Sequence, residues 1–293
     1  MASLKEIKSR MNSVKSTRKI TSAMKMIASA KLHKAQGAIT NFLPYQKKLD
    51  AILTNLLSSD ANYDSPFTEK REVVRTAIVV FASNSSLCGA YNANVIKEFK
   101  ATYKSKKSLG EDNILIYPVG KKIADAIIKS GVKVQGDYRE MADKPSFTSV
   151  QDLAKELIDL YIRKEIDEVV LIYHHFKSMG QQILTNSIFL PFNLSGESDV
   201  PKDNNIQTDY ILEPSKEEIL DSLVPTVLYS RLFAALLDSH ASEHAARTMA
   251  MQIATDNADE LIQDLTILYN KTRQQSVTNE LLDIIGGASA LQG

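Results

Sequence analysis

The sequence predicts an α/β domain with a mostly parallel, Rossmann-like sheet, carried on a long antiparallel coiled coil of the N- and C-terminal helices. Two observations predict it: helical periodicity fills both ends of the 293-residue chain, and short β-branched runs alternate with helices in between. Because the insert returns the chain toward its start, the two terminal helices most simply run antiparallel. We expect a discontinuous coiled-coil domain over residues 1–60 and 210–293, and an inserted domain over 70–205.

Periodicity from residue 3 to residue 57 predicts the N-terminal helix. Ser3 and Glu6 fit a capping box, in which each side chain satisfies a backbone donor at the start of the helix. Pro44 falls inside the pattern and is expected to bend the helix, because proline lacks a backbone donor. Two apolar series, separated by a polar patch at Ser16 to Lys19, predict the coiled-coil face: Leu4, Ile7, Met11 and Val14 at intervals of three and four, then Ile20, Met24, Ile27 and Ala28.

The C-terminal helix is expected to begin at a capping box that starts with Ser215, since positions 215–285 contain one proline, Pro225, and no glycine. Pro225 is expected to kink this helix early or to mark its true start. A helix of about 70 residues extends about 105 Å, which suits a shaft, and its polarity argues against a membrane span. Two four-residue rows predict the sides where a partner helix comes close: Ser242, Ala246, Ala250, Ala254 and Ala258, and Ala241, Ala245, Met249 and Ile253.

Five apolar runs rich in β-branched residues predict the strands of the insert. They cover residues 73–82, 114–119, 131–136, 168–176 and 182–190. Helices are expected over 93–105, 121–129 and 148–164, the last opened by a capping box of Thr148 and Gln151. Polar segments at 58–70 and 193–205 are expected to be loops that lead into and out of the insert.

Composition and charge exclude several classes of protein. The sequence has no run of about 18 apolar residues, which argues against a transmembrane helix, and its N-terminus lacks the apolar core of a secretory signal. The single cysteine, Cys88, excludes an internal disulfide and a cysteine metal cluster, so a cytoplasmic location fits best. Residues 1–49 hold eleven Lys or Arg and one acid, a charge of +10 within a neutral chain, which predicts an acidic partner.

The loop at residues 83–92 follows the first strand, where α/β sheets often bind ligands. It contains one glycine, Gly89, whereas a phosphate-binding loop needs several. Cys88 is interpreted as a buried residue of a tight turn. As a nucleophile it would need a base, and His174 and His175 lie in a predicted strand without a recognisable spacing.

His240, Glu243 and His244 form the H-x-x-E-H order found in some zinc proteases. No additional carboxylate ligand can be identified, and the surroundings have the pattern of a coiled coil. We therefore predict no catalytic residue, no metal and no cofactor.

The end of the chain is apolar and carries few charges. Its apolar residues are Val277, Leu281, Leu282, Ile284, Ile285 and Leu291. The first helix is too short to cover them, and an exposed apolar tip implies a surrounding partner.

Three motifs resemble the gamma subunit family of F-type ATP synthases, over essentially the full length of the chain. Residues 19–31 (KITSAMKMIASAK) are similar to the family's KIT-x-AM-x-M run, and residues 87–92 (LCGAYN) to its LCGG-x-N loop. The segments 242–247, 254–258 and 284–288 match its C-terminal signature, with Thr278, Glu280 and Asp283 at polar positions. One departure is Asn84-Ser85-Ser86, where the family commonly has Asp-Arg-Gly, and it weakens any functional role for that loop.

The resemblance implies a non-catalytic central-stalk rotor, which couples proton-driven rotation of a c-ring to ATP synthesis in catalytic beta subunits. The implied partners are three alpha and three beta subunits, the epsilon subunit and the c-ring, with no nucleic acid and no small-molecule substrate. The implied location is peripheral, on the cytoplasmic face of a bacterial inner membrane. The implied contacts with the alpha–beta ring are Arg247, Arg273, Gln274, Thr278 and Glu280, with Met24 and Lys25 near the same interface.

Two other hypotheses remain open at this point. The basic first helix also fits a coiled-coil protein that binds nucleic acid or acts as a scaffold, and steeply salt-dependent duplex binding would support the former. An enzyme that uses the sheet of the insert is the third, and loss of turnover on Cys88→Ala would support it.

Overall fold

The computed structural model describes residues 3–58, 67, 69, 71–192 and 212–292, with the side chains of 57, 58 and 289–292 left out. The predicted linkers and the side chain of Leu291 thus fall largely outside the described residues. The elements in chain order are α1 (Leu4–Ser58), β1 (Thr76–Phe81), α2 (Tyr91–Lys106), β2 (Ile114–Val119), α3 (Lys121–Lys129), α4 (Arg139–Asp143), α5 (Phe147–Ile162), β3 (Glu168–Ser178), β4 (Gln181–Leu190) and α6 (Lys216–Gln292). Two short 3-10 turns, Lys107–Leu109 and Glu111–Asn113, precede β2.

The chain divides into two compact units, which we describe separately. The first unit consists of Met1–Ala28 and Thr248–Gly293, and the second of Ser29–Arg247. The domain boundaries expected from the sequence stay a prediction.

The second unit contains a four-stranded sheet in the order β2-β1-β3-β4. β1 pairs in parallel with both β2 and β3, whereas β4 runs antiparallel to β3 at one edge. All six residues of β1 are buried, as is typical of a central strand covered on both faces. The mostly parallel sheet predicted from the sequence is confirmed.

Helices cover both faces of this sheet. On one face, Ile78 and Val80 of β1 pack in a core with residues of α2 and α3, such as Phe99 and Ile123. On the other face, Val79 and the alternate residues of β1 pack with α5, with the end of α1 and with the first third of α6. The sheet and the two long helices therefore share one core within this unit.

The predicted strand at residues 131–136 is wrong. This stretch is irregular backbone that begins and ends at left-handed glycines, Gly131 at φ +77° and Gly136 at φ +63°. Val132 and Val134 pack against the sheet, and the backbone N–H of Gln135 donates to Ile116 over 2.7 Å. Its valines therefore fill a core position, but the stretch between the glycines is too short for a ladder.

The predicted start of α5 is also wrong. The helix begins at Phe147, and Ser146 occupies the capping position with extended backbone, at φ −131° and ψ 136°. Thr148 thus lies within the first turn of the helix. Because several polar residues occur together here, the sequence pattern allowed more than one starting point.

Both long helices begin as predicted. Ser3 N–H donates to Glu6 over 2.8 Å and Glu6 N–H donates to the Ser3 hydroxyl over 3.2 Å, which completes the capping box. The Ser215 hydroxyl accepts from Glu218 N–H at 3.2 Å. α6 continues from Lys216 through Pro225, so that proline does not mark the start of the helix.

The helix–helix face predicted for the first unit needs correction. Thr21 and Ala28 are buried, whereas Ile20 and Ile27 are 60% and 61% exposed. The residues of α1 that face α6 follow strict heptad spacing, from Ile7 through Met11, Val14, Arg18, Thr21 and Lys25 to Ala28. Apolar character alone had favoured the neighbouring positions.

Of the two four-residue rows predicted on α6, the row from Ser242 to Ala258 is buried or half-buried throughout, whereas the second row is wrong beyond its first two members. Ala245 is fully buried, but the next members of its row, Met249 and Ile253, are exposed. A step of four residues overshoots one helical turn by about 40°, so a row that starts at the edge of the contact face, as this second row does, turns away from the partner helix. The buried positions instead alternate steps of three and four, as Thr255 and Ala258 do.

The apolar character of α6 raises the question of whether this helix spans a membrane. This helix contains an 18-residue window with a mean hydropathy of 1.4, long and apolar enough to qualify as a candidate membrane span. However, 44% of that window is buried inside the protein, and buried core helices pass the same test. The helix is more apolar than expected, but this remains weak evidence for a span.

Gly120, between β2 and α3, offers a test of the sheet's close packing. Its φ is +112°, and a Cβ there would lie 2.1 Å from the carbonyl oxygen of Ala82. We expect Gly120→Ala to lower the free energy of unfolding by about 3 kcal/mol or more, from the strained backbone and the clash together. Urea denaturation measures this. Gly180→Ala is the control, since nothing lies within 4 Å of that Cβ, and equal losses in both variants would contradict the expectation.

Candidate functional site

Six of the seven contact residues predicted from the sequence lie in the first unit. Met24 and Lys25 are half-buried on α1. On α6, Arg273, Gln274, Thr278 and Glu280 are all exposed. The structure thus places the two groups on different helices of one unit and leaves the α6 group accessible.

Lys25 belongs to a series of three polar pairs between α1 and α6. Its ammonium donates to Gln252 over 2.8 Å. The hydroxyls of Thr21 and Thr255 share a buried hydrogen bond of 2.9 Å, and Arg18 forms an ion pair with Asp259. The pairs occupy successive heptad layers, so the two helices run antiparallel in a fixed register.

The register shows where the tip of α6 loses its partner helix. The Thr266 hydroxyl lies 3.7 Å from the sulfur of Met11. Continuing that antiparallel register places Leu4, the first residue of α1, opposite about position 273 (seven residues further along each helix). Beyond that position, α6 continues to Gln292 with no other described helix of the chain paired along it.

The unpaired tip is apolar and exposed. Its exposed apolar residues are Val277 at 50%, Leu281 at 54%, Leu282 at 60%, Ile284 at 67% and Ile285 at 60%. Large exposed apolar surfaces mark interaction sites, and a helix with apolar residues on several sides fits an enclosing partner better than a flat one. The prediction of an exposed apolar tip is confirmed for the described residues.

The seventh predicted contact residue, Arg247, lies in the second unit and is buried. Its guanidinium donates to Glu243 over 2.9 Å and to the Ser85 hydroxyl over 3.1 Å. Arg247 therefore connects α6 to the loop after β1. Its partner Ser85 is one of the three residues, Asn84-Ser85-Ser86, at which this chain departs from the common family motif. The predicted contact of Arg247 with a partner subunit stays a prediction.

Glu243 and two histidines form a buried titratable cluster on this part of α6. Burial raises the pKa of Glu243 to about 7, because desolvation outweighs the opposing effect of Arg247. Burial lowers the pKa of His240 to about 4 and that of His244 to about 3, where the neighbouring His240 adds to the shift. Both imidazoles are therefore neutral near pH 7, and their Nε2 atoms lie 3.2 Å apart.

α6 occupies the crevice where an α/β sheet often binds its ligand. Leu236, Ser239, His240 and Glu243 of α6 face Ala82 at the carboxyl end of β1. They line a small cavity together with Phe81, Tyr91, Val119 and Ala142. The crevice at the carboxyl ends of the strands is thus filled by the chain's own helix.

The residues weighed for catalysis have structural partners. Cys88 is 1% exposed and accepts from the Asn92 amide at 3.1 Å. His174 stacks on Tyr91, whose hydroxyl lies 2.6 Å from that of Ser239, and burial lowers the pKa of this histidine to about 4. Within the part of the chain that the structure describes, no group of three or more His, Cys, Asp or Glu is placed to hold a metal.

Two polar contacts were missed by the sequence analysis. The Thr21–Thr255 and Tyr91–Ser239 hydroxyl pairs each join residues more than 140 positions apart. For Thr21, the sequence contained an indication of burial, because Thr21 continues the heptad spacing of Ile7, Met11 and Val14. Its polar side chain nevertheless favoured the neighbouring Ile20 as the predicted buried residue. For Tyr91, local sequence contains no indication of the partner.

Comparison with known proteins assigns the chain to a family. The family model described as ATP synthase matches residues 3–291. The ATP synthase gamma chain of Bacteroides fragilis (strain YCH46) is 61% identical over 290 residues, which cover 99% of this chain and 100% of that protein. The chain belongs to the ATP synthase gamma chain family.

Solved structures show the same fold at low identity. A chain of the Euglena gracilis mitochondrial ATP synthase (OSCP/F1/c-ring, rotational state 3) has a TM-score of 0.60 at 18% identity, covering 98% of this chain and 94% of that one. A chain of the Tetrahymena thermophila mitochondrial ATP synthase (central stalk/c-ring) has a TM-score of 0.56 at 21% identity, covering 80% and 99%. The gamma chain fold therefore persists where the sequence has largely diverged.

The buried histidines predict how the stability of this gamma chain depends on pH. Because the pKa values of His240 and His244 are depressed, their contribution is present above about pH 6.5 and is lost as the pH falls toward 4. We expect the His240→Gln/His244→Gln variant to lose about 2 kcal/mol less than the unmodified chain between pH 7 and pH 4. Urea denaturation at each pH measures this. His33→Gln, at an exposed site, is the control, and parallel pH curves for the double variant and the unmodified chain would refute the expectation.

The Arg247–Glu243 pair gives a second pH-dependent prediction. Arg247→Met leaves the Glu243 carboxylate buried without its cation, which costs about 3 kcal/mol at pH 8. The cost should shrink at pH 5, because a carboxyl with a raised pKa takes up a proton there. Thermal denaturation at both pH values tests this. Arg247→Met/Glu243→Met should recover most of the loss at pH 8, and an equal loss at both pH values would contradict the argument.

Proposed function

We propose that this chain is the central-stalk rotor of an F-type ATP synthase, which couples proton-driven rotation of a c-ring to ATP synthesis in the catalytic beta subunits. The observation that carries the proposal is the apolar tip of α6, which continues beyond the register of α1 in a member of the gamma chain family. A single helix with exposed apolar residues needs an enclosure that still allows it to turn. The subunit itself is non-catalytic in this proposal.

The proposed partners follow from the related complexes. Solved structures of the same fold come from assemblies named as central stalk with c-ring and as F1 with c-ring. We therefore propose a ring of three alpha and three beta subunits around the tip, with the epsilon subunit and the c-ring as further partners. The complex is peripheral to a membrane, and the proposed side is the cytoplasmic face of a bacterial inner membrane.

Six residues of the first unit, together with Arg247 of the second, supply the proposed contacts with the alpha–beta ring. Arg273, Gln274, Thr278 and Glu280 are exposed polar residues that alternate with the apolar ones of the tip. Met24 and Lys25 lie on α1 and directly precede Met26, which is exposed. Arg247 is included among the proposed contacts, although its side chain would have to give up buried bonds to Glu243 and Ser85.

We further propose that residues 1–60 and 210–293 form the shaft and residues 70–205 the inserted domain. All four described strands fall between Thr76 and Leu190, and the two long helices flank them. Limited proteolysis of the full chain, followed by mass spectrometry, tests these boundaries. Preferred cleavage inside the sheet, rather than near residues 58–70 and 193–210, would contradict them.

Deletion of residues 281–293 tests the proposed function. Co-expressed with alpha and beta subunits, the shortened chain should still co-purify, but ATP-driven proton pumping should fall several-fold, because the tip no longer engages the ring. Proton pumping in membrane vesicles measures this. In the isolated shortened chain, the second unit should unfold at the same urea midpoint as it does in the intact chain. Failure of the intact chain to co-purify with alpha and beta subunits would refute the proposal.

The polar residues of the tip allow a finer test. Replacing Arg273, Gln274, Thr278 and Glu280 together by alanine removes their hydrogen bonds to the ring and keeps the apolar surface. We expect pumping to fall while the affinity of the chain for the ring falls less, since apolar contact persists. Lys129→Ala, an exposed cation on α3, is the control. Unchanged pumping in the fourfold variant would remove these four residues from the proposed contacts.

A further inference from the structure

The helices α2 and α3 carry a concentration of lysines on the sheet face opposite the one that packs with α1, α5 and α6. Residues 91–136, which contain both helices, hold nine Lys and four acids, a charge of +5. The rest of the chain beyond residue 49 holds 15 Lys or Arg and 30 Asp or Glu. These two helices therefore form a basic region within an otherwise acidic part of the chain.

Four of the lysines follow one side of α2 and its continuation. Lys97, Lys100, Lys104 and Lys107 recur at intervals of three and four, and all four are exposed. The opposite side of the helix packs on the sheet through Phe99. Like charges at this spacing repel, so the row costs helix stability that solubility does not require. The remaining exposed residues of α2 are small or polar and uncharged: Ala93, Asn94, Ala101 and Ser105.

Little of this charge is neutralised by the chain itself. Among the described residues, Lys106 pairs with Glu168 and Lys107 pairs with Glu111 over 3.4 Å, whereas the other seven lysines of the region form no ion pair. Glu98 is turned toward β4, where it accepts from the Asn186 amide at 2.9 Å. The row Lys97, Lys100 and Lys104 is therefore left for an external anion.

α3 packs beside α2 and leaves one large apolar residue uncovered. Ile123 and Ile127 fill the core beneath the helix, whereas Ile128 is 58% exposed. An isolated exposed apolar residue is ordinary on a protein surface. On the same layer as a lysine row, however, it matches the composition of surfaces that bind bilayers, in which apolar side chains enter the headgroup layer below the cations.

We infer that the lysine row of α2 (Lys97, Lys100 and Lys104), together with Ile128 of α3, docks on the surface of an anionic lipid bilayer. The cations of the region are all Lys, whereas Arg is favoured for paired contacts with a carboxylate or a single phosphate. Point charges suit the diffuse charge of a bilayer, at which each Lys strengthens binding about fivefold. A chain of this family belongs to a complex peripheral to a membrane, where such a surface occurs.

A fluorescent probe within the row reports the contact in the full-length chain. With the buried Cys88 replaced by Ser, Ala101→Cys receives a polarity-sensitive fluorophore at an exposed position among the lysines. Ala38→Cys is the matched control, because Ala38 is an exposed alanine of α1. Vesicles of equal parts phosphatidylcholine and phosphatidylglycerol should shift the emission of the probe at 101 to the blue and leave that of the probe at 38 unchanged. Phosphatidylcholine alone should shift neither.

Removal of the row tests whether charge drives the contact. In the chain labelled at position 101, Lys97→Gln/Lys100→Gln/Lys104→Gln should raise the vesicle concentration that gives half of the shift at least about tenfold, since three attractive charges are lost. The matched control is Lys8→Gln/Lys15→Gln/Lys19→Gln, which removes the same charge from an exposed row of α1 and should leave that concentration nearly unchanged. Surface substitutions of this kind change stability little, and circular dichroism checks the fold.

No shift at position 101 would overturn the inference, and so would an equal shift at position 38. An equal loss of response in the α1 control would assign the attraction to total charge and overturn it as well. A DNA duplex that gives the same shift at a lower phosphate concentration than the vesicles would identify nucleic acid as the ligand instead. The inference goes beyond the proposed rotor, and proton pumping does not enter its readouts, so the two proposals fail separately.

Discussion

The antiparallel pairing of α1 with α6 is the constraint on which the rest of the structure depends. In the second unit, Phe42 and Phe233 meet edge to face at 5.0 Å, and Asp50 accepts from Arg231 at 3.0 Å. In the first unit, polar pairs such as Thr21–Thr255 connect the same two helices. The heptad spacing of α1 is maintained in both units. Each unit combines apolar packing with polar pairs, since the first also buries Ile7 and Leu265.

The same helix determines what the sheet can and cannot do. At the carboxyl ends of β1 and β2, where sheets of this kind bind nucleotides, α6 contributes Ser239, His240 and Glu243. Tyr91 and Arg247 bond to Ser239 and Glu243, so these polar groups of the crevice bond to one another within the chain. The sheet therefore supports α6 across the carboxyl ends of its strands. This explains how a Rossmann-like fold can serve in a non-catalytic subunit.

Much of the fold could be predicted because its signals are local. The bounds of β2 and α3 agree with those predicted, and Ser3 caps α1 as its sequence indicated. Some errors are local, since Val132 and Val134 have strand-like residue types but lie between two left-handed glycines. Others occur where a partner distant in sequence decides. Of the candidate site, the exposed tip was predictable from composition, whereas the burial of Arg247 against Ser85 was not.

By itself, the sequence determined the elements, the length of the two helices and the apolar, unaccompanied end of α6, because periodicity, caps and chain length are properties of neighbouring residues. Only the tertiary structure decided which faces of the helices meet. Hydrophobicity favoured Ile20 and Ile27 for the buried face, whereas in the structure Thr21 is buried there and shares a hydrogen bond with Thr255. The physical reason is that hydrogen bonds are directional and pairwise, so their effect depends on a partner more than 200 residues away, whereas apolar character can be read from one residue alone.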